Sequence, residues 1–368
     1  SVPKRLWYAD RDGMGRLHVR RIDANGTISI VAGGGVNNPD NNGTATATNF
    51  IDIDDIAVDG GSAVRDSSVY VAGGTSGRVY KVDANGSLTL LAGSGTRGVD
   101  LNATKNGPAQ THLLGNVVSI AVDKPASNYY IADQNTTSGE FYVHRVVVAS
   151  STISRVIGGG AIDPDLNASS AINCRITNID DITVDDAGRL YYADNLRGAI
   201  WRLEVSGAMT KIAGSTTTPV EVVDGDLPTT GSVGAQTIAA DAGFLYFGGQ
   251  RGGGAHRVRR LPIAGGSVTT IAGGGAKDLS LLATETLFGT EASIPNVTDV
   301  AVDSGGNVFF GDDDGTQSLV LEVNNTAENA FTWTDGEIVY IVDANATRPT
   351  SWPGLPPYDA SVLPNMSD

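Results

Sequence analysis

Three observations on this 368-residue chain predict an all-β fold. Two short phrases recur in step along its length, the segments between them are strand-sized, and no stretch keeps a helical apolar period for the length of an ordinary helix. The first phrase ends in Ala-Gly or Gly-Gly: IVAGGG at Ile30 to Gly35, LLAGSG at Leu90 to Gly95, VIGGG at Val156 to Gly160, KIAGS at Lys211 to Ser215 and TIAGGG at Thr270 to Gly275. Successive copies lie 55 to 66 residues apart. The second phrase keeps the same rhythm and ends at Asp59, Asp123, Asp185, Asp241 and Asp303.

Each repeat supplies its elements in a constant order. The phrase ending in Asp is the first strand, and its alternation of apolar and small residues suits a half-buried sheet. A second strand such as RLYYADN (Arg189 to Asn195) follows, then a third such as AIWRLEV (Ala199 to Val205), rich in aromatic and β-branched residues. The turn into the fourth strand is Asp-Ala-Asn-Gly at both Asp23 to Gly26 and Asp83 to Gly86, and Asn-Gly favours the positive φ angles of a tight hairpin. The unit is a four-stranded antiparallel meander. Radial repetition of such units leaves only short sheet edges, and the arrangement is a β-propeller.

Counting units gives six blades. Complete units begin near Asp52, Asn116, Ile179, Gly234 and Val297, and an N-terminal unit has RLWYAD, HVRRID and ISIVAG but no first strand. Glu337 to Asp343, EIVYIVD, reads as that missing inner strand, so we expect it to pair with Arg5 to Asp10 and close the ring. The expected organisation is a propeller over residues 1–343 and a Pro-rich extension over 344–368.

Composition narrows the function. With 25 Lys+Arg against 41 Asp+Glu the net charge is -16, which argues against a nucleic-acid partner, since phosphate binding needs clustered cations. At 40% hydrophobic and 18% charged, the chain reads as globular and soluble, and its apolar runs are far short of a membrane span. A single cysteine, Cys174, makes no intrachain disulfide and excludes a multi-cysteine metal site. The start at Ser1 suggests a processed, exported chain.

The repeated residues resemble the NHL-repeat β-propellers. The resemblance rests on DIAVD, RLYYADN, RVYKVDANGSLTLLAGSG (Arg78 to Gly95) and Asn106-Gly107-Pro108-Ala109, and covers about residues 5 to 343. It implies the propeller fold, and it leaves function open because such propellers include enzymes, ligand binders and scaffolds. One departure from the family phrase concerns the position four before the strand-ending Asp. Asp55, Asp181 and Asp299 occupy it in blades two, four and six, while Ser119, Thr237 and Val339 are the equivalents elsewhere. Three carboxylates on alternate blades near the mouth of a central channel could hold a cation such as Ca²⁺, which prefers oxygen ligands. They could equally cap the strand entrance by accepting backbone N–H groups.

The remaining candidates have structural readings. Asp59, Asp123, Asp185, Asp241, Asp303 and Asp343 recur blade by blade, as an Asx-type turn residue should. Lyase relatives implied by the resemblance use His ligands on the axis, but His18, His144 and His256 fall on third strands toward the rim and His112 in a loop, so they are not expected to converge. Arg20, Lys81, Arg145, Arg202 and Arg259 are expected to lie along the sheet or pair with nearby acids. Trp7, Trp201 and Trp333 read as packing residues.

Two features point outward. Sequons occur at Asn25, Asn42, Asn85, Asn102, Asn135, Asn167, Asn296, Asn324, Asn345 and Asn365, mostly in expected turns or loops, which suggests an exported glycoprotein. The extension carries Trp352, Leu355 and Tyr358 as apolar anchors for a partner or a second copy, and a contact of that kind that does not close builds a filament. The expected function is an extracellular or cell-surface interaction or structural scaffold that could self-assemble into fibres through its faces and C-terminal arm. The alternative is a propeller-type lyase or hydrolase with a metal at the acidic channel mouth.

Overall fold

The computed structural model describes residues 5–23, 27–59, 67–98, 107–166, 169–215, 220–250, 254–279, 287–303, 306–313, 318–323 and 337–343. Its fold is all-β, a six-bladed β-propeller. Blades one to three lie within residues 1–177 and blades four to six within 178–354, as two compact units.

In the first unit, blade one is the meander Leu6–Arg11, Leu17–Ile22, Ile28–Gly33, with three strands among the described residues. Blade two runs Asp55–Val58, Val69–Gly73, Arg78–Val82, Ser87–Ala92, and blade three Asn116–Val122, Asn128–Gln134, Phe141–Val147, Thr152–Ile157. In the second unit, blade four is Asp181–Val184, Leu190–Asp194, Ala199–Leu203, Met209–Ala213; blade five is Thr237–Ala240, Phe244–Gly249, Arg257–Pro262, Thr269–Gly273. Blade six is Val297–Val302, Val308–Asp313, Ser318–Val323, Glu337–Asp343. In blades two, three and six the preceding connector adds a two-residue outermost strand: Gly43–Thr44, Gly107–Pro108 and Leu287–Phe288.

Glu337–Asp343 therefore corrects the expected ring closure. It pairs antiparallel with Ser318–Val323 as the outer strand of its own blade, not as the inner strand of the first. Its register shift at Val320/Leu321 matches the bulge between third and outer strands in the other five blades, at Val19/Arg20, Val79/Tyr80, Val143/His144, Ile200/Trp201 and Val258/Arg259. The alternation of EIVYIVD suits either position. Closing the short connection from Val323 costs far less chain entropy than reaching a strand more than 300 residues away in sequence.

Strand alternation explains why the middle of each second strand is apolar on both faces. Successive side chains point to opposite faces. In blade two, Val69 and Val71 pack with Val19 and Leu17 of blade one, whereas Tyr70 and Ala72 pack with Val117, Ile120 and Ile131 of blade three. In blade five, Leu245 and Phe247 join Tyr191 and Ile200 of blade four, while Tyr246 joins Val300 and Phe310 of blade six.

The glycine phrase does more than punctuate. Gly158 has φ +86, which a β-carbon disfavours. Gly160 has no such φ, yet a Cβ there would overlap the backbone of Asn173 in the connector. Its N–H donates to the Cys174 carbonyl at 3.1 Å. The third glycine thus lets the chain leaving one blade lie directly on the short 3-10 turn Ala171–Asn173, and Gly35 on Ala47 and Gly275 on Glu291 repeat the arrangement.

Candidate functional site

The inner-strand carboxylates are fastened to a neighbouring blade, Asp55 and Asp181 to the following one and Asp299 to the preceding one. In the first unit Asp55 Oδ2 accepts from the Ser119 hydroxyl at 2.8 Å and the Ile120 N–H at 2.7 Å, while its Oδ1 accepts from Ile56 N–H at 2.7 Å. In the second unit Asp181 does the same, accepting from Ile238 N–H at 2.7 Å, from Ile182 N–H at 2.7 Å and from the Thr237 hydroxyl at 3.2 Å. Thr237 also reaches Asp299 Oδ1 at 2.9 Å and receives Val300 N–H at 3.0 Å. A bulge between Val117 and Ser119, and another between Val297 and Asp299, turn these side chains toward their partners.

One hydroxyl proton therefore stands between two carboxylates, Asp181 and Asp299. Burial among surrounding groups pushes the Asp299 carboxyl above the ordinary carboxylate range, opposed by the Thr237 hydroxyl and the Val300 N–H. Its protonation favours the fold, so this group adds stability as pH falls from neutral toward its unfolded value of 3.8. Thr237→Val, which keeps the shape of this 3%-exposed residue and removes the donor, is expected to cost about 1–2 kcal/mol at neutral pH. The deficit should shrink on acidification; urea unfolding at a series of pH values measures both.

Asp55, Asp181 and Asp299 thus sit at blade-to-blade fastenings, with Asp181 and Asp299 brought to one hydroxyl. Among the described residues no three His, Cys, Asp or Glu side chains are grouped to hold a metal ion. The strand-ending residues are Asx turns: Asp185 Oδ1 accepts from Ala187 and Arg189 N–H at 3.0 and 2.9 Å, and Asp241 Oδ1 from Gly243 and Phe244 N–H at 2.7 Å. Their second oxygens accept from Tyr191 and Tyr246 hydroxyls at 3.0 Å, a use that local turn chemistry does not foretell.

A second acidic pair lies in blade four. Asp180 Oδ2 accepts from Asn195 N–H at 2.7 Å and from Asn178 Nδ2 at 2.6 Å. Asp194, 1% exposed, accepts from Arg197 N–H at 2.9 Å. Burial pushes Asp194 up to about 6, against the pull of the Arg197 N–H and guanidinium, and the Asp180 charge adds to the rise. Burial raises Asp180 as well. The doubled acid at Asp180–Asp181 was the signal in the sequence.

Two of the four histidines meet. His18 and His256 stand apart, the first 3.1 Å from Asp12 and the second accepting Val297 N–H at Nδ1 at 3.2 Å. His112 and His144 meet edge to face with ring centroids 5.0 Å apart. His144 Nε2 lies 2.9 Å from Asp133 Oδ1, though without the alignment of a hydrogen bond. The connector before blade three folds back on its third strand, a tertiary contact that strand counting misses.

Of the third-strand cations, Arg20 pairs with Asp10 at 2.8 Å, Arg202 with Glu204 at 2.6 Å and the buried Arg259 with Glu221. Lys81 lies over the Tyr70 ring, and Arg145 is exposed. Trp201 is buried and stacked with Tyr192. Sequons Asn42, Asn85 and Asn296 are exposed, and Asn135 is half-buried with its Oδ1 accepting Thr137 N–H at 2.8 Å. Asn25, Asn102, Asn167, Asn324, Asn345 and Asn365 lie outside the described residues, as do Trp333, Trp352, Leu355 and Tyr358.

The class of protein that these observations define is the six-bladed β-propeller. The chain is similar to a structural-genomics protein of unknown function from Bacteroides thetaiotaomicron, with TM-score 0.51 and 18% identity over 84% of this chain and 67% of that one. TolB from Acinetobacter baumannii aligns with TM-score 0.49 and 11% identity over 87% of this chain and 60% of its own, so the present chain spans about three fifths of TolB's length. Virginiamycin B lyase from Staphylococcus aureus aligns with TM-score 0.42 and 12% identity over 92% and 87%. No family model and no curated protein sequence matches the chain.

Proposed function

We propose that this chain is a binding scaffold of the NHL-repeat kind, secreted or displayed at the cell surface, glycosylated, and joined to protein partners or to further copies of itself through its faces and residues 344–368. The observation that carries this reading is the use made of the inner-strand carboxylates. Asp55, Asp181 and Asp299 each accept backbone N–H and hydroxyl groups, an arrangement that fixes blade against blade. Rigid presentation of surfaces is what such fastening serves.

Exposed Asn42, Asn85 and Asn296 supply the second support, since a glycan needs an accessible amide. Separately, the acidic balance of -16 disfavours a nucleic-acid partner. Material from the native source tests both halves. Glycosidase treatment should lower the intact mass, and electron microscopy should show oligomers or filaments that disappear in a chain lacking residues 344–368. An unchanged mass removes the glycoprotein reading; identical monodisperse particles with and without the arm remove the assembly reading.

A further inference from the structure

In three blades a basic side chain lies against a glycine that follows the outer strand, where a Cβ would overlap it. His18 lies against Gly34, Arg78 against Gly95 and Arg257 against Gly274. Each has a carboxylate: Asp12 at 3.1 Å from His18, Asp40 at 2.8 Å from Arg78, and Glu221 at 3.3 Å from Arg257. Blade three also sets a basic side chain against a glycine past its outer strand, Arg155 against Gly159, but this arginine stands on the outer strand Thr152–Ile157, and the third-strand residue at the register of Arg78 and Arg257 is Tyr142. Arg155 makes no ion pair with a described residue, and its Nε and Nη1 are buried without an acceptor.

Arg155 has basic and aromatic neighbours. His144 is its direct cross-strand partner, fully buried, with Nδ1 unbonded. The His112 ring packs on His144, and the Arg155 guanidinium sits 5.5 Å over the Tyr142 ring. Asp133 is beside His144 Nε2 and accepts Gly115 N–H at 2.8 Å through its other oxygen. Glu140 is committed to Arg175 at 3.0 Å.

We propose that the Arg155–His144 corner of blade three is a binding site for a small carboxylate, whose oxygens pair with this guanidinium as Asp40 pairs with Arg78 and Glu221 with Arg257. A guanidinium is a planar fork matched to two carboxylate oxygens. Leaving it partly buried without an anion is unfavourable, and burial here draws the Arg155 pKa down, as expected of a cation lacking its counter-charge. Gly159 is exposed, so the corner is reached from solvent past a residue with no side chain.

The chain has 4 histidines, so imidazole NMR of the full protein resolves each ring. Citrate added at constant ionic strength, against chloride, is the probe. The His144 and His112 resonances should move saturably, with a dissociation constant in the millimolar range or tighter, while His18 and His256 stay still. Arg155→Gln should weaken the response at least tenfold, and Arg257→Gln should leave it intact. If Arg155→Gln does not fold, the wild-type arginine Nε–H resonances decide: Arg155 must shift with the same saturation curve. No saturable shift at His144, an equal response in Arg155→Gln, or a stationary Arg155 Nε–H overturns the site and leaves Arg155 as a stacking partner of Tyr142 only.

Discussion

Replacing Gly160 by alanine is expected to lower stability by about 3 kcal/mol, the upper end of what forced overpacking costs. The new Cβ would meet the carbonyl carbon, oxygen and Cα of Asn173, which are backbone atoms with no rotamer to yield. Relief requires the turn Ala171–Asn173 to move, and Ala171 at its head is fully buried. It would also stretch the Gly160 N–H bond to Cys174 and the Ile162 N–H bond to Asn173, both 3.1 Å. Gly13→Ala is the matched control. Nothing lies within 4 Å of its Cβ position, so its change should stay within about 0.5 kcal/mol, the usual range for surface substitutions. Urea unfolding of the two variants side by side tests the claim, and equal midpoints would refute the close approach.

The second large effect is a pH dependence centred on Asp194. Its folded-state pKa of about 6 stands above the ordinary 3.8, so the folded protein holds this proton more tightly than the unfolded chain. Stability from this group is accordingly lowest at neutral pH and grows as pH falls from about 6 toward 4, by an amount on the order of 3 kcal/mol at full extent. Asp194→Asn keeps an oxygen for the Arg197 N–H and removes the charge. The variant should lose about one proton's worth of slope, roughly 1.4 kcal/mol per pH unit, across that window. The raised Asp180 leaves a smaller slope of the same sign in the variant. Identical slopes in the two proteins would show that Asp194 does not titrate there.

Much of the fold was legible because it is local. Asx residues such as Asp185 and Asp241 bond to N–H groups two to four positions ahead, so their role is written in a short window. The apolar second strands and the blade count follow from alternation and repetition. The candidate site was legible in part: the position four before the strand-ending Asp was rightly marked as shared by Asp55, Asp181 and Asp299. What was not legible is that Ser119 and Thr237, at the same position of a neighbouring blade, are their partners, because these bonds span 64, 56 and 62 residues.

By itself, then, the sequence determined the strand order within blades two to five, the turn residues and the number of repeats, all governed by interactions between near neighbours. Only the tertiary structure decided which strand Glu337–Asp343 joins, that His112 reaches His144, and that Arg155 meets no carboxylate among the described residues. Those outcomes depend on how connectors fold over sheets. Strand periodicity is the same whether a strand ends inside or outside its blade, so the choice falls to loop closure and to the packing of side chains distant in sequence.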